Sequence, residues 1–389
     1  MPRYDALDSA LSDANLDGYL IDAAGDDSDQ RYLSGFDAPD PFFTLYRPDE
    51  LALLVSELEF GRAKTDSDAD VVRRFADFDF TALRDELGPN AARRRMLAAF
   101  VADRGAESVA VPRRFPVDSA DGLRDRGVTV EPDQDDVVTK IRAIKTDDEI
   151  ESIRSVQSAN ERAMAVAEDL IAAADPVEGT LHLDDEPLTA ERVKTEIEAA
   201  LLNEGCGLDE TIVAGGEQGA DPHDRGSGPL PADEPIVIDI FPRNKTTKFH
   251  GDMTRTVVRG SPSETVEQWF EITREAFEAA LDAIEPGVTG ETVHGAACDV
   301  YEQAGFPTLR SDPGAETGFI HNTGHGVGLD VHELPRLAPD GEALEPGHVV
   351  TVEPGLYDPA IGGMRLEDLV VVTEDGYRNL TDYPMTLQL

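Results

Sequence analysis

A chain of 389 residues with 40% hydrophobic content has enough apolar material for two cores, which excludes a disordered protein. It carries 79 acidic against 34 basic residues, a formal charge of −45. Acidic residues run along its whole length, which excludes nucleic acid and anionic membrane as partners. Such a surface repels itself in dilute buffer, but at molar salt the screening length falls to about 3 Å. The expected setting is the cytoplasm of a salt-accumulating cell.

The N-terminal stretch MPRYDALDSALSD lacks an apolar signal core, and no run reaches the roughly 20 apolar residues of a membrane span. The two cysteines, Cys206 and Cys298, stand far apart without partner histidine spacing. They read as buried free thiols, not as a disulfide framework or a zinc site.

Residues 1–143 read as one α/β unit with a structural or oligomerisation role. Tyr4 to Ala14 has helical periodicity, and Gly18 to Asp22 reads as a strand. Tyr32-Leu33-Ser34-Gly35-Phe36 ends in a turn. Phe42 to Tyr46 and Leu51 to Val55 pair around Arg47-Pro48-Asp49-Glu50. A helix over 91–102 precedes a strand from Ser108 to Val111. Nothing in this part clusters His, Cys and carboxylates in a catalytic pattern.

Lys140 to Lys145 is a basic knot in an acidic chain and marks the boundary, with the second domain over 144–389. Thr146 and Glu149 form a capping box that opens a long helix toward Ala174. Its apolar positions are Ile150, Ile153, Val156, Met164, Val166 and Leu170. Asp175 to Pro187 reads as a Gly/Asp/Pro loop. Thr189 then caps a second helix to Asn203, stopped at Gly205-Cys206-Gly207. Thr211 to Gly216 is a strand entering a glycine-rich loop that carries His223. The loop lacks phosphate-loop spacing, and a lone loop histidine is usually just solvated.

The stretch from Val237 to Val258 follows, with strand-like arms around a polar, turn-capable segment, Arg243 to Lys248. Each arm carries an aspartate, Asp239 and Asp252, where an apolar residue packs better. A carboxylate inside a buried strand is costly unless it is paired or bound to metal. Two converging carboxylates repel each other unless a cation lies between them, and a divalent metal pair supplies that. Taken alone, the stretch fits equally two surface aspartates of an acidic chain. Later segments decide it.

Amphipathic helices from Ser263 to Ile284 and from Thr289 to Ala304 come next. His321 to Glu333 then holds three of the eight histidines, with glycines packed about His325. Glycine there lets the backbone approach closely and leaves room for an ion or substrate. His325 and His332 are seven apart, so they are not the helical pair of an HExxH zinc protease. Val349 to Gly355 reads as a strand ending on Glu353. Gly363 to Val372 reads as another, with Glu367 on the side of Arg365 and Leu369. Four strand-borne carboxylates and one glycine-flanked histidine thus come from separate segments. That composition suits two hard or borderline divalent ions.

At these residues the chain resembles the pita-bread metallopeptidases, in the Xaa-Pro dipeptidase (prolidase) and aminopeptidase P branch. The motifs IDI…GDMTRT, GHGVGLDVHE, TVEPG and RLEDLVVVT occur in the family's order. KIRAIKTDDEIESIR resembles its interdomain link, and YLSGF a phrase of its N-terminal domain. The resemblance implies an α/β (α+β) fold, with a creatinase-like N-terminal domain before a catalytic domain of two α/β halves around a curved antiparallel sheet. It implies an enzyme that cleaves the Xaa-Pro bond of a proline-containing peptide, with two divalent metal ions, Mn or Co, and a homodimer.

Residue by residue, the resemblance implies that Asp239, Asp252, His325, Glu353 and Glu367 bind the metals, Asp252 and Glu367 bridging both. It gives Glu353 a second task in proton transfer. It gives His332 and His223 the substrate carbonyl and the oxyanion. Arg365 either assists at the substrate's far end or neutralises the carboxylates. The chain departs from much of the family at Phe241-Pro242-Arg243, and His250 is an extra imidazole beside the site. Rival readings are a creatinase-type or methionine aminopeptidase-type enzyme, or a binding protein on the same fold. The full ligand set argues against the first and last, and the long N-terminal part against the second.

Overall fold

The computed structural model describes residues 4–389; the first three residues of the N-terminal stretch lie outside the described residues. Two compact units divide between Arg142 and Ala143.

The first unit is built on a six-stranded mixed sheet. Its order is Val71–Arg74, Glu50–Val55, Phe42–Arg47, Gly18–Ala23, Ser108–Val111, Thr129–Pro132. The expected pair forms a tight hairpin in which Arg47 faces Glu50. The stretch Tyr32 to Phe36 ends in a turn at Gly35 as expected, and the residues before that turn form a helix, Ser28–Ser34, that the sequence reading did not give. Asp27 caps that helix by accepting from the Gln30 amide, and Gly35 closes it at φ 64°. The cap was present in the sequence, but the helix is too short to register as a periodic pattern.

The second unit has two α/β halves. In the first half, Thr211–Gly215, Ile236–Ile240 and Met253–Val257 form an antiparallel three-stranded sheet. The long helix Asp147–Ala173 and the helix Ala190–Asn203 cover it. Ile236, Ile238 and Ile240 point into that core, so by strand alternation Val237 and Asp239 point to the opposite face. Asp239 therefore takes no place from the hydrophobic core, contrary to the simple reading of a polar intruder. In the second half, Glu264–Asp282 and Gly290–Gln303 pack on a five-stranded sheet and on a two-stranded hairpin, Gly355–Asp358 with Gly362–Arg365.

Two expectations change. The segment 175–187 is a small three-stranded meander, not a loop. The strand expected over 363–372 is broken. Gly362–Arg365 belongs to the hairpin, Asp368–Thr373 to the larger sheet, and Leu366 and Glu367 lie between them. Glu353 occupies the matching crossing, after the strand Val349–Val352 and before Gly355–Asp358. Both carboxylates thus sit where the chain passes from one sheet to the other.

Candidate metal centre

The site begins with register. Asp239 lies opposite Thr254 in the antiparallel pair, so Asp252, two residues earlier, is its diagonal neighbour on the same face. The long helix fixes the Asp252 backbone. The Gln157 side-chain amide donates to the Asp252 carbonyl at 2.9 Å and accepts from its amide at 3.0 Å. Glu367 is brought in from the other half. Its amide donates to the Thr254 carbonyl at 3.1 Å, and its Oε2 accepts from Thr254 Oγ1 at 2.7 Å. The buried Arg255 guanidinium holds the Glu367 carbonyl at 2.6 Å and the Asp368 carboxylate at 2.9 Å.

Carboxylate oxygens of Asp239, Asp252 and Glu367 thereby come within 4.8 Å of one another. They are 9%, 4% and 1% exposed, too dry for water to spread their charge. Burial pushes the Asp252 carboxyl well above the usual range, and the neighbouring Glu367, Asp239 and Glu353 push the same way. Burial does the same to Glu367, with Glu353 and Asp239 adding to it.

His325 joins from the third segment. Its Nε2 lies 3.7 Å from Asp252 Oδ2 and 3.3 Å from Glu353 Oε1. Its Nδ1 faces the Gly326 carbonyl at 3.1 Å. A carbonyl only accepts, so Nδ1 carries the hydrogen and Nε2 keeps its lone pair for the cluster. Burial lowers the His325 pKa, which favours this neutral form. The flanking glycines are obligatory. A Cβ on Gly324 meets the Thr351 carbonyl at 2.0 Å, and one on Gly326 meets the Leu334 carbonyl at 2.1 Å. Thr351 Oγ1 accepts from the His325 amide at 3.0 Å and donates to Glu353 Oε1 at 3.2 Å, tying the two together. Burial raises the Glu353 carboxyl to about 7, against the opposing pull of Arg365.

Whether these residues fit a metal is decided by two orphaned atoms. Asp239 Oδ1 and Glu367 Oε1 are buried with no hydrogen-bond partner. Unpartnered carboxylate oxygens, three converging acids and an imidazole lone pair are a cation-binding set. Arg365 supplies one positive charge. Its Nη2 bonds Asp239 Oδ2 at 2.5 Å, Nη1 bonds the Tyr357 hydroxyl at 3.1 Å, and Nε bonds Thr254 Oγ1 at 3.1 Å. Of the two tasks read for Arg365, these contacts support neutralisation.

The remaining expected residues lie at the rim. His332 packs edge-on against His325, with ring centres 4.2 Å apart, and its side is open to solvent. His223 is exposed in its loop, while burial and then His325 lower the His332 pKa, and burial and then Arg365 lower that of His321 to about 3. His250 lies outside the carboxylate group and donates its amide to the Gly328 carbonyl at 2.8 Å.

Sequence reasoning missed Gln157, Tyr357 and the place of His321. His321 Nε2 lies 3.0 Å from the Tyr357 hydroxyl, which in turn meets Arg365. Gln157 carried a signal: it is a fully buried polar residue among the apolar positions of the long helix. Tyr357 carried none, because an aromatic in a strand reads as core.

Comparison with known proteins follows the same outline. The metallopeptidase family M24 pattern matches residues 151–374. The creatinase/prolidase N-terminal domain pattern matches residues 3–156. A protein named Xaa-Pro dipeptidase from Pyrococcus furiosus is 30% identical over 356 residues, 90% of each chain. The prolidase structure from Pyrococcus horikoshii OT3 superposes with a TM-score of 0.79 at 26% identity, covering 100% of both chains. An X-Pro aminopeptidase structure from Thermotoga maritima gives a TM-score of 0.79 at 26% identity, covering 96% of this chain and 98% of that one.

Proposed function

This chain belongs to metallopeptidase family M24, and on that basis we propose that it hydrolyses the Xaa-Pro bond of dipeptides or of peptide N-termini. The observation that carries the reading is the pair of orphaned, buried oxygens on Asp239 and Glu367 within a converging acid cluster. The relatives support the bond: one is named a dipeptidase and one an aminopeptidase, and both names specify proline.

In this reading Asp239, Asp252, His325, Glu353 and Glu367 hold two divalent cations, manganese or cobalt. Such a pair supplies Lewis acidity and lowers the pKa of bound water toward neutral. The chain's own residues do the rest. Glu353, whose Oε1 lies 3.3 Å from His325 Nε2 and accepts from Thr351 Oγ1, would take and return a proton at its carboxylate. His332 and His223, on the open side, orient the substrate carbonyl and stabilise charge on its oxygen. Arg365 holds Asp239 in place and offsets part of the cluster's charge. We assign residues 1–143 as a separate N-terminal domain and the active form as a homodimer.

The test is hydrolysis of an Xaa-Pro dipeptide beside an Xaa-Pro tripeptide, in multimolar KCl with manganese and a chelator control. Cleavage of the dipeptide alone makes this a prolidase. Cleavage of the tripeptide makes it an aminopeptidase. Cleavage of neither by the metal-loaded protein rejects the proline specificity.

A further inference from the structure

The two carboxylates read as bridging the metals, Asp252 and Glu367, are each held at the backbone by a buried side chain. Gln157 grips Asp252, and Arg255 grips the Glu367 carbonyl. Both of these side chains also hold one short segment, residues 381–384.

Every donor on the two side chains is used. The Gln157 amide nitrogen has two hydrogens. One goes to the Asp252 carbonyl and the other to Thr381 Oγ1, each at 2.9 Å. Arg255 is 1% exposed and brings five N–H donors. Nη1 donates to the Thr254 and Glu367 carbonyls at 2.9 and 2.6 Å. Nη2 donates to the Asp368 carboxylate and the Tyr383 carbonyl, both at 2.9 Å. Nε donates to the Pro384 carbonyl at 2.9 Å.

Segment 381–384 belongs to no helix or strand, so its backbone groups depend on side chains for partners. The Thr381 amide donates to Asn379 Oδ1 at 2.8 Å, and the Asp382 amide to Glu161 Oε1 at 2.7 Å. The Tyr383 hydroxyl donates to Glu168 Oε2 at 2.7 Å. Gln157, Glu161 and Glu168 lie within about 40° of one another around the long helix, so the segment runs along one stripe of it.

Thr381 Oγ1 is the joint. Besides the Gln157 amide it accepts from the Leu369 amide, at 3.0 Å. Gln157 belongs to the helix behind Asp252, and Leu369 stands two residues after Glu367 on a strand of the other half. One buried hydroxyl oxygen thus connects the supports of two carboxylates that come from different α/β halves.

We propose that 381–384 is a positioning strap that fixes Asp252 and Glu367 relative to each other, with Thr381 as its positioning residue. The proposal rests on the metal reading above. Converging carboxylates repel and move apart unless their backbones are held. A cation pair binds tightest where its ligands already stand at their final spacing, because binding then carries no ordering cost. The strap supplies that spacing without contributing a ligand.

The experiment uses the full-length protein at fixed high KCl. Thr381→Val removes the joint and keeps its shape, and Thr381→Ser keeps the oxygen. Asn379→Ala removes an exposed side chain that holds the Thr381 amide, so it tests the strap even where Thr381→Val does not fold. One readout is calorimetric titration with manganese below the melting transition. The other is hydrogen exchange at the Asp252 and Glu367 amides in the chelated protein. The expected result for Thr381→Val is a manganese Kd raised roughly tenfold or more, as for loss of an outer partner of metal ligands. Both amides exchange faster in that variant. Thr381→Ser stays near the wild type, and Asn379→Ala shifts both readouts the same way by less. An unchanged Kd with unchanged exchange in the folded variants overturns the strap, even where the melting temperature falls. A wild type that binds no manganese rejects the metal reading instead. Exchange at the two amides then decides the strap: faster in the variants supports it, and equal rates overturn it.

Discussion

Lys145 Nζ lies 2.9 Å from Glu333 Oε2, and the two side chains are only 1% and 2% exposed. Glu333 directly follows His332, and its second oxygen accepts from the Asp330 amide at 2.9 Å. The pair therefore pins the end of the histidine loop. The sequence places Lys145 in the basic knot that marks the domain boundary. Burial gives it a different task.

Replacing Lys145 by Met leaves Glu333 buried without its ammonium. Breaking a buried pair on one side costs about 3–5 kcal/mol. We expect a loss in this range by urea unfolding at fixed high KCl, with a lower kcat as His332 loses its support. A change below about 1 kcal/mol at unaltered kcat shows that the pair does not order the loop.

Asp252→Asn separates metal binding from folding. Activity falls further than the roughly 10–100-fold typical of removing an outer partner of a metal ligand. The metal-free fold gains stability at neutral pH. The sign follows from the raised folded pKa of Asp252: its carboxylate form is disfavoured in the fold, so stability is lost as pH rises above the unfolded value. Thermal unfolding of the chelated protein reads this directly. Retained turnover contradicts a two-metal mechanism.

Metal addition has the converse effect on the wild type. Manganese at about 100 times its dissociation constant stabilises the fold by ~2.7 kcal/mol through mass action. The melting temperature rises with manganese and falls with chelator. In Asp239→Ala/Glu367→Ala, which removes both orphaned oxygens, most of that rise disappears. An undiminished rise moves the metal elsewhere.

Acid should destabilise the protein through two buried histidines away from the cluster. Burial, then the charge of Arg310, lowers His294 from 6.5 to about 4. Burial, then Lys145, lowers His348 from 6.5 to about 4. Between these values the unfolded chain binds more protons than the native one, so stability falls as pH drops from 6.5 to 4. Each histidine adds a slope of up to ~1.4 kcal/mol per pH unit in that window. Urea unfolding across this range, with His294→Gln and His348→Gln as controls, should show a shallower slope in each variant.

The formal charge of −45 predicts salt dependence. Raising KCl from about 0.1 M to 1 M shortens the screening length from roughly 10 Å to 3 Å and removes most surface repulsion. The melting temperature should climb steadily over that range. Greatest stability at low salt contradicts a surface adapted to a salt-rich cytoplasm.

The sequence by itself determined the elements whose signals are local. The capping box at Thr146 and Glu149 forms as read. The hairpin around Asp239 and Asp252 forms because alternation and turn residues lie within one short stretch. The order of motifs carried the family as well. What only the tertiary structure decided depends on residues distant in the chain. The side of the sheet that Asp239 faces depends on which helices cover the other side. The break at Glu367 arises because two sheets meet there, and strand propensity runs smoothly through that position, whereas Pro354-Gly355 already marked the strand end at Glu353. The reciprocal bonds of Gln157 to Asp252 and the burial of Lys145 on Glu333 join segments far apart in sequence. Burial and convergence belong to the packed chain, and they alone turn ordinary acids and lysines into a site.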